Sequence, residues 1–188
     1  QQVSSAASDV YKRQLLLFTL RKQVFGRIHD HPPLIEQVKN CVEAGVYDKE
    51  LLNLYTEQEF AKLESFIDHD RDYLFTYAGL RQIVDKYLVQ DRSTGALYES
   101  PQFMYLLISA SIFSKYPEDT RLDYIKKYYD AISKHRINIP TPIMAGVRTP
   151  IRQFASCVLV DIDDTLDSIF SSDMAVSYTH LRAHETHE

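Results

Sequence analysis

The stretch IPTPIMAGVRTPIRQFASCVLV, residues 139–160, decides the fold class because the pattern of the chain changes within it. It contains three prolines, Pro140, Pro142 and Pro150. Proline fixes φ and lacks a backbone N–H, so these residues predict a loop. The apolar and β-branched run at residues 157–160 then predicts a buried strand. Asp164-Thr165 follows as the predicted N-terminal cap of a helix, which indicates the entry into an α/β domain.

Helix signals dominate the chain before this stretch. Pro32-Pro33 and Gly45 have the positions of a helix start and stop. Thr56 and Glu59 have the spacing of a capping box, and Phe60, Leu63 and Ile67 are expected to form the apolar face that follows. Further helices are predicted at about residues 77–85, at 101–113 and from Pro117 onward.

Two extended runs, residues 87–90 and 96–99, flank a turn-forming segment at 91–95 and predict a β-hairpin. The predicted fold class is therefore α+β and mostly α. A helical N-terminal region with a small β-hairpin leads into the first strand and helix of an α/β domain.

Composition restricts the classes of function. The 188 residues carry a formal net charge of −5, which argues against broad electrostatic binding to nucleic acid or to an anionic membrane. No apolar run reaches membrane-spanning length. Cys41 and Cys157 are the two cysteines, too few for a disulfide framework, so a reducing cytoplasm is the expected location.

Both ends of the chain look like translated sequencing adaptors. Residues 1–14 and 176–188 are accordingly left out of functional reasoning, including the histidines near the end of the chain. The natural segment is then expected to span about residues 15–175, open at both ends.

The residues before Cys157 favour a binding loop. The loop is rich in hydroxyls and arginine; its hydroxyls and backbone amides can hold phosphate oxygens, and a cysteine at a strand edge can face a substrate. By chemistry alone, a lone cysteine is more often a small buried hydrophobe, and Cys41 in its amphipathic helix keeps that interpretation.

The decisive stretch resembles the substrate loop and first barrel strand of the large subunit of class I ribonucleotide reductase. Four upstream segments resemble the same family in the same order: residues 66–72, 86–90, 98–103 and 120–122. The resemblance implies a ten-stranded α/β barrel, truncated here. It also implies reduction of ribonucleoside diphosphates to deoxyribonucleotides by thiol and thiyl-radical chemistry.

The same resemblance implies a role for particular residues. Cys157 matches the strand cysteine that reduces the substrate with a partner thiol, which would lie downstream. Thr141 matches a position that touches the diphosphate, and Ser156 a neighbour that contacts substrate. Asp164 matches an effector-site residue that accepts from the ribose hydroxyl of a regulatory deoxynucleotide. Lys22 falls where a basic residue meets the activity-site nucleotide. The last four residues also have a purely structural interpretation. Thr141 would end a strand, Ser156 would bond the backbone, Asp164 would cap its helix and Lys22 would be a solvated lysine.

The resemblance further implies a domain order and partners. Residues 15–25 would end an ATP-binding cone, 26–138 would form the helical region, and 139–175 would begin the barrel. The parent would use ATP and deoxynucleotide effectors, and a radical from a small subunit that contains metal. Thioredoxin or glutaredoxin would restore its dithiol, and large subunits would form a homodimer. The segment alone is expected to bind no cofactor and to be inactive.

Two rival functions are open. Residues 158–166 resemble the first motif of haloacid-dehalogenase-type phosphatases, with Asp161 as nucleophile and Asp163 as acid/base beside Mg²⁺. A non-enzymatic helical interaction module is the other. The clusters 29–31 and 68–70 contain histidine and aspartate, but side chains adjacent in sequence diverge, so no metal site is expected there.

Overall fold

Helices form most of this structure, a computed structural model that describes residues 2–91, 93–151, 154–155 and 159–185. The chain divides into two compact units, residues 1–154 and 155–188. None of the helices in the described ranges is long and apolar enough to cross a membrane. The first unit contains, in chain order, α1 (Gln2–Phe25), α2 (Leu34–Glu43), α3 (Leu51–Leu54), α4 (Glu57–Glu64), a 3-10 helix (His69–Leu74), α5 (Tyr77–Lys86), β1 (Gln90–Asp91), β2 (Ala96–Leu97), α6 (Pro101–Phe113), α7 (Arg121–Ser133) and α8 (Thr141–Gly146). The second unit contains α9 (Leu166–Glu185).

Helix α6 lies at the centre of the first unit. Its sequence is apolar on every side, and its first ten residues, 101–110, are all buried. A helix that is hydrophobic all round is stable only inside a protein. It begins and ends where the sequence predicts, with Ser100 as N-cap and Pro101 in the first turn, and it packs against α7, the 3-10 helix and α8.

The predicted helix starts and stops upstream are confirmed. Thr56 and Glu59 form the capping box of α4, in which each side chain bonds the backbone of the other. Helix α2 follows Pro33, and its first amide, Leu34 N, donates to the Glu64 carboxylate at 2.9 Å. Gly45, at φ +72°, follows the end of α2 in the left-handed region that glycine accepts without strain.

The β-hairpin lies where it was predicted but is shorter. Its antiparallel strands pair Gln90 with Leu97 and Asp91 with Ala96. One further backbone bond, Tyr98 N to Val89 O at 3.0 Å, continues the pairing toward α6.

Three boundaries in the first unit differ from the prediction. The proline-rich stretch is not simply a loop, because residues 141–146 form α8. Pro142 lies in the first turn, where a helix leaves its N–H groups unbonded, so proline costs nothing there. Helix α7 begins at Arg121 because residues 117–120 form a turn, with Thr120 N bonded to Pro117 O. Ile67 lies beyond the end of α4.

In the second unit, the prediction of a strand at residues 157–160 is wrong for the two residues of that range that the structure describes. Leu159 and Val160 have no strand conformation, and Leu159 is 99% exposed. A strand of a parallel sheet depends on hydrogen bonds from neighbouring strands, and the described part of this unit supplies no such partner. Residues 157 and 158 lie outside the described residues. The helix predicted next is present as α9, and Thr165 Oγ1 accepts from Ser168 N at 3.3 Å as a cap.

We predict that Thr56→Ala lowers the free energy of unfolding by about 1 kcal/mol, because it removes the cap of α4. Denaturant unfolding followed by circular dichroism measures the loss. The matched control is Thr120→Ala, since Thr120 precedes α7 without a side-chain cap bond; its loss should stay below about 0.5 kcal/mol. Equal losses in the two variants would contradict the assigned role of the capping box.

Candidate functional site

A buried ion pair between Arg148 and Glu99 holds α8 and the residues directly after it in place. Both side chains are 0% exposed. Arg148 Nε donates to Glu99 Oε2 at 2.8 Å, and Arg148 Nη2 donates to Glu99 Oε1. Burial alone would lower the pKa of Arg148, but Glu99 and then Tyr47 outweigh it and raise that pKa. The pair therefore stays charged inside the protein, in the fork geometry that suits guanidinium and carboxylate.

Neighbouring groups satisfy the remaining hydrogen-bonding capacity of this pair. Tyr47 Oη donates to Glu99 Oε2 at 2.5 Å, and Val89 N donates to Glu99 Oε1 at 2.8 Å. Burial and the Glu99 carboxylate raise the pKa of Tyr47 well above its usual value, so its hydroxyl remains a donor. Asp48 N donates to Arg148 O at 3.0 Å, which adds a backbone contact beside the ion pair.

The same arginine positions Thr141, a predicted substrate-binding residue. Arg148 donates to Met144 O within α8 at 2.5 Å and to Tyr87 O at 3.0 Å. The Tyr87 hydroxyl lies 3.2 Å from Thr141 Oγ1, at the exposed start of α8. Tyr87 and Met144 also line a cavity of about 490 Å³. Thr141 is thus the first residue of a helix that Arg148 fixes to the core, and it does not end a strand.

The other predicted site residues have different surroundings. Lys22 is exposed on α1, and Asp164 is exposed just before the cap of α9. Ser156 and Cys157 lie outside the described residues. Among the described residues, Thr141 therefore has a defined hydrogen-bond partner and a fixed position, whereas Lys22 and Asp164 are only known to be exposed.

A second buried polar network escaped prediction from the sequence. Arg21 Nη2 lies 3.2 Å from Asp72 Oδ2, and Gln102 Nε2 donates to Asp72 Oδ1 at 2.9 Å. Tyr129 Oη donates to Gln102 Oε1 at 2.7 Å. Burial, opposed by Gln102 and then Arg21, raises the pKa of Asp72 to about 6. The network joins α1, the 3-10 helix, α6 and α7.

Sequence offers a weak signal for such networks. A buried charge requires a partner, yet Arg148 and Glu99 are 49 residues apart and Arg21 and Asp72 are 51 apart. Both members of the first pair belong to stretches that carry the family resemblance. Nothing in the stretches themselves indicates which charges meet.

Cys41 is the buried residue that was predicted. It is 1% exposed in α2, and its thiol lies 3.5 Å from both Gln37 Nε2 and Tyr98 O. Burial, followed by the nearby Glu99 charge, raises its pKa to about 12. The reactive form of cysteine is the thiolate, so Cys41 is chemically inert near neutral pH.

The acidic and histidine-containing segments form no metal cluster in the described part of the chain, where no three His, Cys, Asp or Glu side chains are placed to hold an ion. Two of the segments nevertheless meet, because the His31 ring stacks on the His69 ring. Asp161 and Asp163, the residues of the phosphatase alternative, are exposed.

The helical unit, with α8 and Arg148, matches a known class of protein. The family model described as the ribonucleotide reductase all-alpha domain matches residues 73–152. The match includes Glu99, Thr141 and Arg148, so the ion pair and the start of α8 lie within this domain.

Relatives extend the similarity along most of the chain. The ribonucleoside-diphosphate reductase 1 subunit alpha of Salmonella typhimurium is 50% identical over 96% of this chain, and that of Escherichia coli is 48% identical over 96%. The subunit alpha of Haemophilus influenzae is 54% identical over 90%. The chain belongs to the ribonucleotide reductase large-subunit family. It spans about a quarter of the length of these relatives, 22–25%. Nothing in these comparisons favours a phosphatase or an interaction module.

We predict that Arg148→Ala costs about 3–5 kcal/mol in the free energy of unfolding, because Glu99 would stay buried without a counter-charge. Chemical denaturation at neutral pH measures this loss.

The control is Arg81→Ala, which removes an ion pair with Asp85 whose side chains are 46% and 51% exposed. Its cost should not exceed about 0.5 kcal/mol. A loss for Arg148→Ala as small as this would show that the buried pair does not hold the segment.

Proposed function

We propose that this chain is part of the large subunit of a class I ribonucleoside-diphosphate reductase. The parent enzyme would reduce ribonucleoside diphosphates to deoxyribonucleoside diphosphates for DNA synthesis. Membership of the large-subunit family, along nearly the whole chain, is the observation that supports this proposal most. The anchored position of Thr141 within the matched domain agrees with it.

The proposed domain organisation follows the sequence. Residues 15–25 end the ATP-binding cone, 26–138 form the helical region, and 139–175 begin the catalytic barrel. Residues 1–14 and 176–188 derive from sequencing adaptors. Residues 15–25 are helical, which agrees with the first assignment, and residues 26–138 supply all the buried apolar residues of the core except Leu17 and Leu20, which agrees with the second.

Cys157 is the proposed reducing residue. In the parent, a thiyl radical on another cysteine takes the 3′ hydrogen of the ribose, and the 2′ hydroxyl leaves as water. Cys157 and a partner thiol supply two electrons and two protons and become a disulfide. One proton leaves in the water and the other ends on C2′, while the hydrogen taken from C3′ returns to that carbon and restores the thiyl radical. Thioredoxin or glutaredoxin reduces that disulfide by thiol exchange. Both other cysteines must come from sequence beyond this segment, so the segment alone should show no turnover.

Thr141 and Ser156 are the proposed substrate contacts. A hydroxyl can donate to a diphosphate oxygen, and such bonds to a charged acceptor are stronger than neutral ones. Thr141 is an exposed residue whose hydroxyl lies 3.2 Å from that of Tyr87, and α8 is tied to the core through Arg148. This rigid setting suits a group that must meet a substrate in one fixed position.

Regulation and assembly complete the proposal. Asp164 would accept a hydrogen bond from the ribose of a deoxynucleotide effector, and Lys22 would meet a phosphate of the activity-site nucleotide. Both are exposed, as effector contacts need to be. The parent would act in the cytoplasm as a homodimer of large subunits, with a small subunit that contains metal and generates the radical. We propose no metal or cofactor bound by the segment itself.

We predict that Cys157→Ser in the full-length parent abolishes thiol-dependent turnover, because serine cannot form the disulfide. Formation of deoxyribonucleotide with a thioredoxin system measures the loss. Cys41→Ser is the matched control, because Cys41 is buried in α2 and has no proposed part in the chemistry. Full turnover by Cys157→Ser would refute the reducing role.

We further predict that Thr141→Val raises KM for the ribonucleoside diphosphate by about 10- to 100-fold, as expected for losing a hydrogen bond to a charged group. Steady-state kinetics of the parent test this. Thr94→Val, in the exposed hairpin turn, is the control and should leave KM unchanged. An unaltered KM for Thr141→Val would remove Thr141 from the substrate site.

A further inference from the structure

Four aromatic rings close a cycle at the carboxyl end of α1. The His31 and His69 rings are stacked, with centroids 3.5 Å apart and planes 3° from parallel. Phe25 meets His31 edge-on at 5.3 Å, and Phe103 meets His69 edge-on at 5.5 Å. Phe25 and Phe103 lie 5.5 Å from each other. We call these four side chains the ring cluster.

The ring cluster joins segments that are far apart in the sequence. Phe25 is the last residue of α1, His31 lies in the connection to α2, His69 begins the 3-10 helix, and Phe103 belongs to α6. Arg21 strengthens the junction, since it donates to His69 O at 2.9 Å and pairs with Asp72. The His31–His69 stack is therefore one of the contacts that join the end of α1 and the connection after it to the 3-10 helix, beside the bonds of Arg21 and the contact of Phe25 with Phe103.

Burial keeps the two stacked histidines in a neutral state, because it lowers the pKa of both rings. His31 Nε2 and His69 Nδ1 are buried without a hydrogen-bond partner in the described part of the protein. Burial, followed by Arg21, lowers the pKa of His31 to about 4. Burial, followed by His31 and Arg21, lowers the pKa of His69 to about 3. A proton on either ring would place a cation against the other imidazole and near a guanidinium.

Solvent has a route to the stack. A polar cavity of about 380 Å³ is lined by both histidines and by Arg21. The exposed residues His29, Asp68 and Asp70 line the same cavity. Protons can therefore reach the rings without unfolding of the core.

We propose that the His31–His69 stack is a proton-sensitive latch. The latch is closed while both rings are neutral, and it holds the end of α1 and residues 26–33 against the 3-10 helix. Protonation of either ring opens it. Its position between the proposed nucleotide-binding cone and the helical region would make it regulatory; that consequence rests on the proposed function, whereas the latch itself does not.

Charged groups face this latch from α1, from the connection to α2 and from the 3-10 helix and the residue before it, and uncharged groups face it from α6 and α7. Arg21 comes from α1, Asp30 and His29 from the connection to α2, and the carboxylates Asp68, Asp70 and Asp72, with Tyr73, from the 3-10 helix and the residue before it. Helix α6 contributes Phe103 and the neutral Gln102. Helix α7 contributes Tyr129, whose hydroxyl donates to Gln102 Oε1 and accepts from Asp68 N. Asp30 raises the pKa of His31, but burial and Arg21 outweigh it.

The direction of the pH dependence follows from these pKa values. Both histidines have lower pKa values in the closed state than the 6.5 of a free imidazole, so the open state takes up protons first. The equilibrium favours the closed state most strongly above pH 6.5, and it shifts toward the open state as the pH falls toward 4. Between pH 7.5 and 5.5 the loss is about tenfold per histidine. Asp72 acts in the opposite sense, by about fourfold over the same interval if it titrates with the latch, because its pKa in the closed state is raised.

Hydrogen exchange of the complete 188-residue chain tests the latch and requires no reductase activity. Backbone amides in residues 20–31 are compared at pH 7.5 and 5.5 after correction for intrinsic exchange. We expect their protection to fall at least tenfold at the lower pH. His31→Phe and His69→Phe each keep a ring without a titrating nitrogen, and the double variant should remove the fall.

His29→Phe is the matched control, because it changes an exposed histidine of the same cavity, and it should behave as the wild type. Unchanged protection in the wild type, or an undiminished fall in the double variant, overturns the proposal. If the double variant does not fold, NMR titration of the wild-type imidazoles decides the question. Titration of both rings below pH 5 supports the latch, and a midpoint at or above 6.5 for either ring overturns it. Failure here leaves the reductase assignment untouched, and loss of that assignment leaves the latch intact.

Discussion

The buried pair Arg148–Glu99 is the interaction on which the end of the helical unit depends. Placing two charges in a protein interior carries a large desolvation cost, and only close pairing with full hydrogen bonding offsets it. Here Tyr47 and Val89 N complete the bonding of Glu99, while Arg148 also reaches the carbonyls of Tyr87 and Met144. One ion pair thereby ties α8, the hairpin and the segment before α3 to the N-terminus of α6.

A second network applies the same principle at the other end of the chain. Arg21, Asp72, Gln102 and Tyr129 form a continuous buried series that attaches α1 to the central helix. Both networks meet α6 at its N-terminus, through Glu99 just before the helix and Gln102 in its first turn. The apolar side chains of α6 pack the core but give the helix little directional preference. Charged and hydrogen-bonded groups specify orientation, because leaving any of them unpaired is costly.

This arrangement suits a segment of a much larger reductase subunit. The helical unit completes its own core, yet its proposed chemical residues lie at its surface or beyond it. Thr141 is held at an exposed helix start, while the proposed reducing thiol needs two cysteines that other sequence must supply. On the proposed function, the helical unit would support a site that is completed elsewhere in the parent.

Local features of the sequence determined much of the fold. The capping box at Thr56, the start of α6 at Pro101 and the hairpin around Gly95 depend on neighbours within a few residues, and each lies where it was predicted. The family resemblance, likewise, was readable from ordered motifs. Tertiary structure alone decided which charges meet, because partners 49 or 51 residues apart leave no local signal. It also decided that Pro142 sits in a helix and that Leu159 has no strand, since a strand depends on neighbours that its own sequence cannot provide.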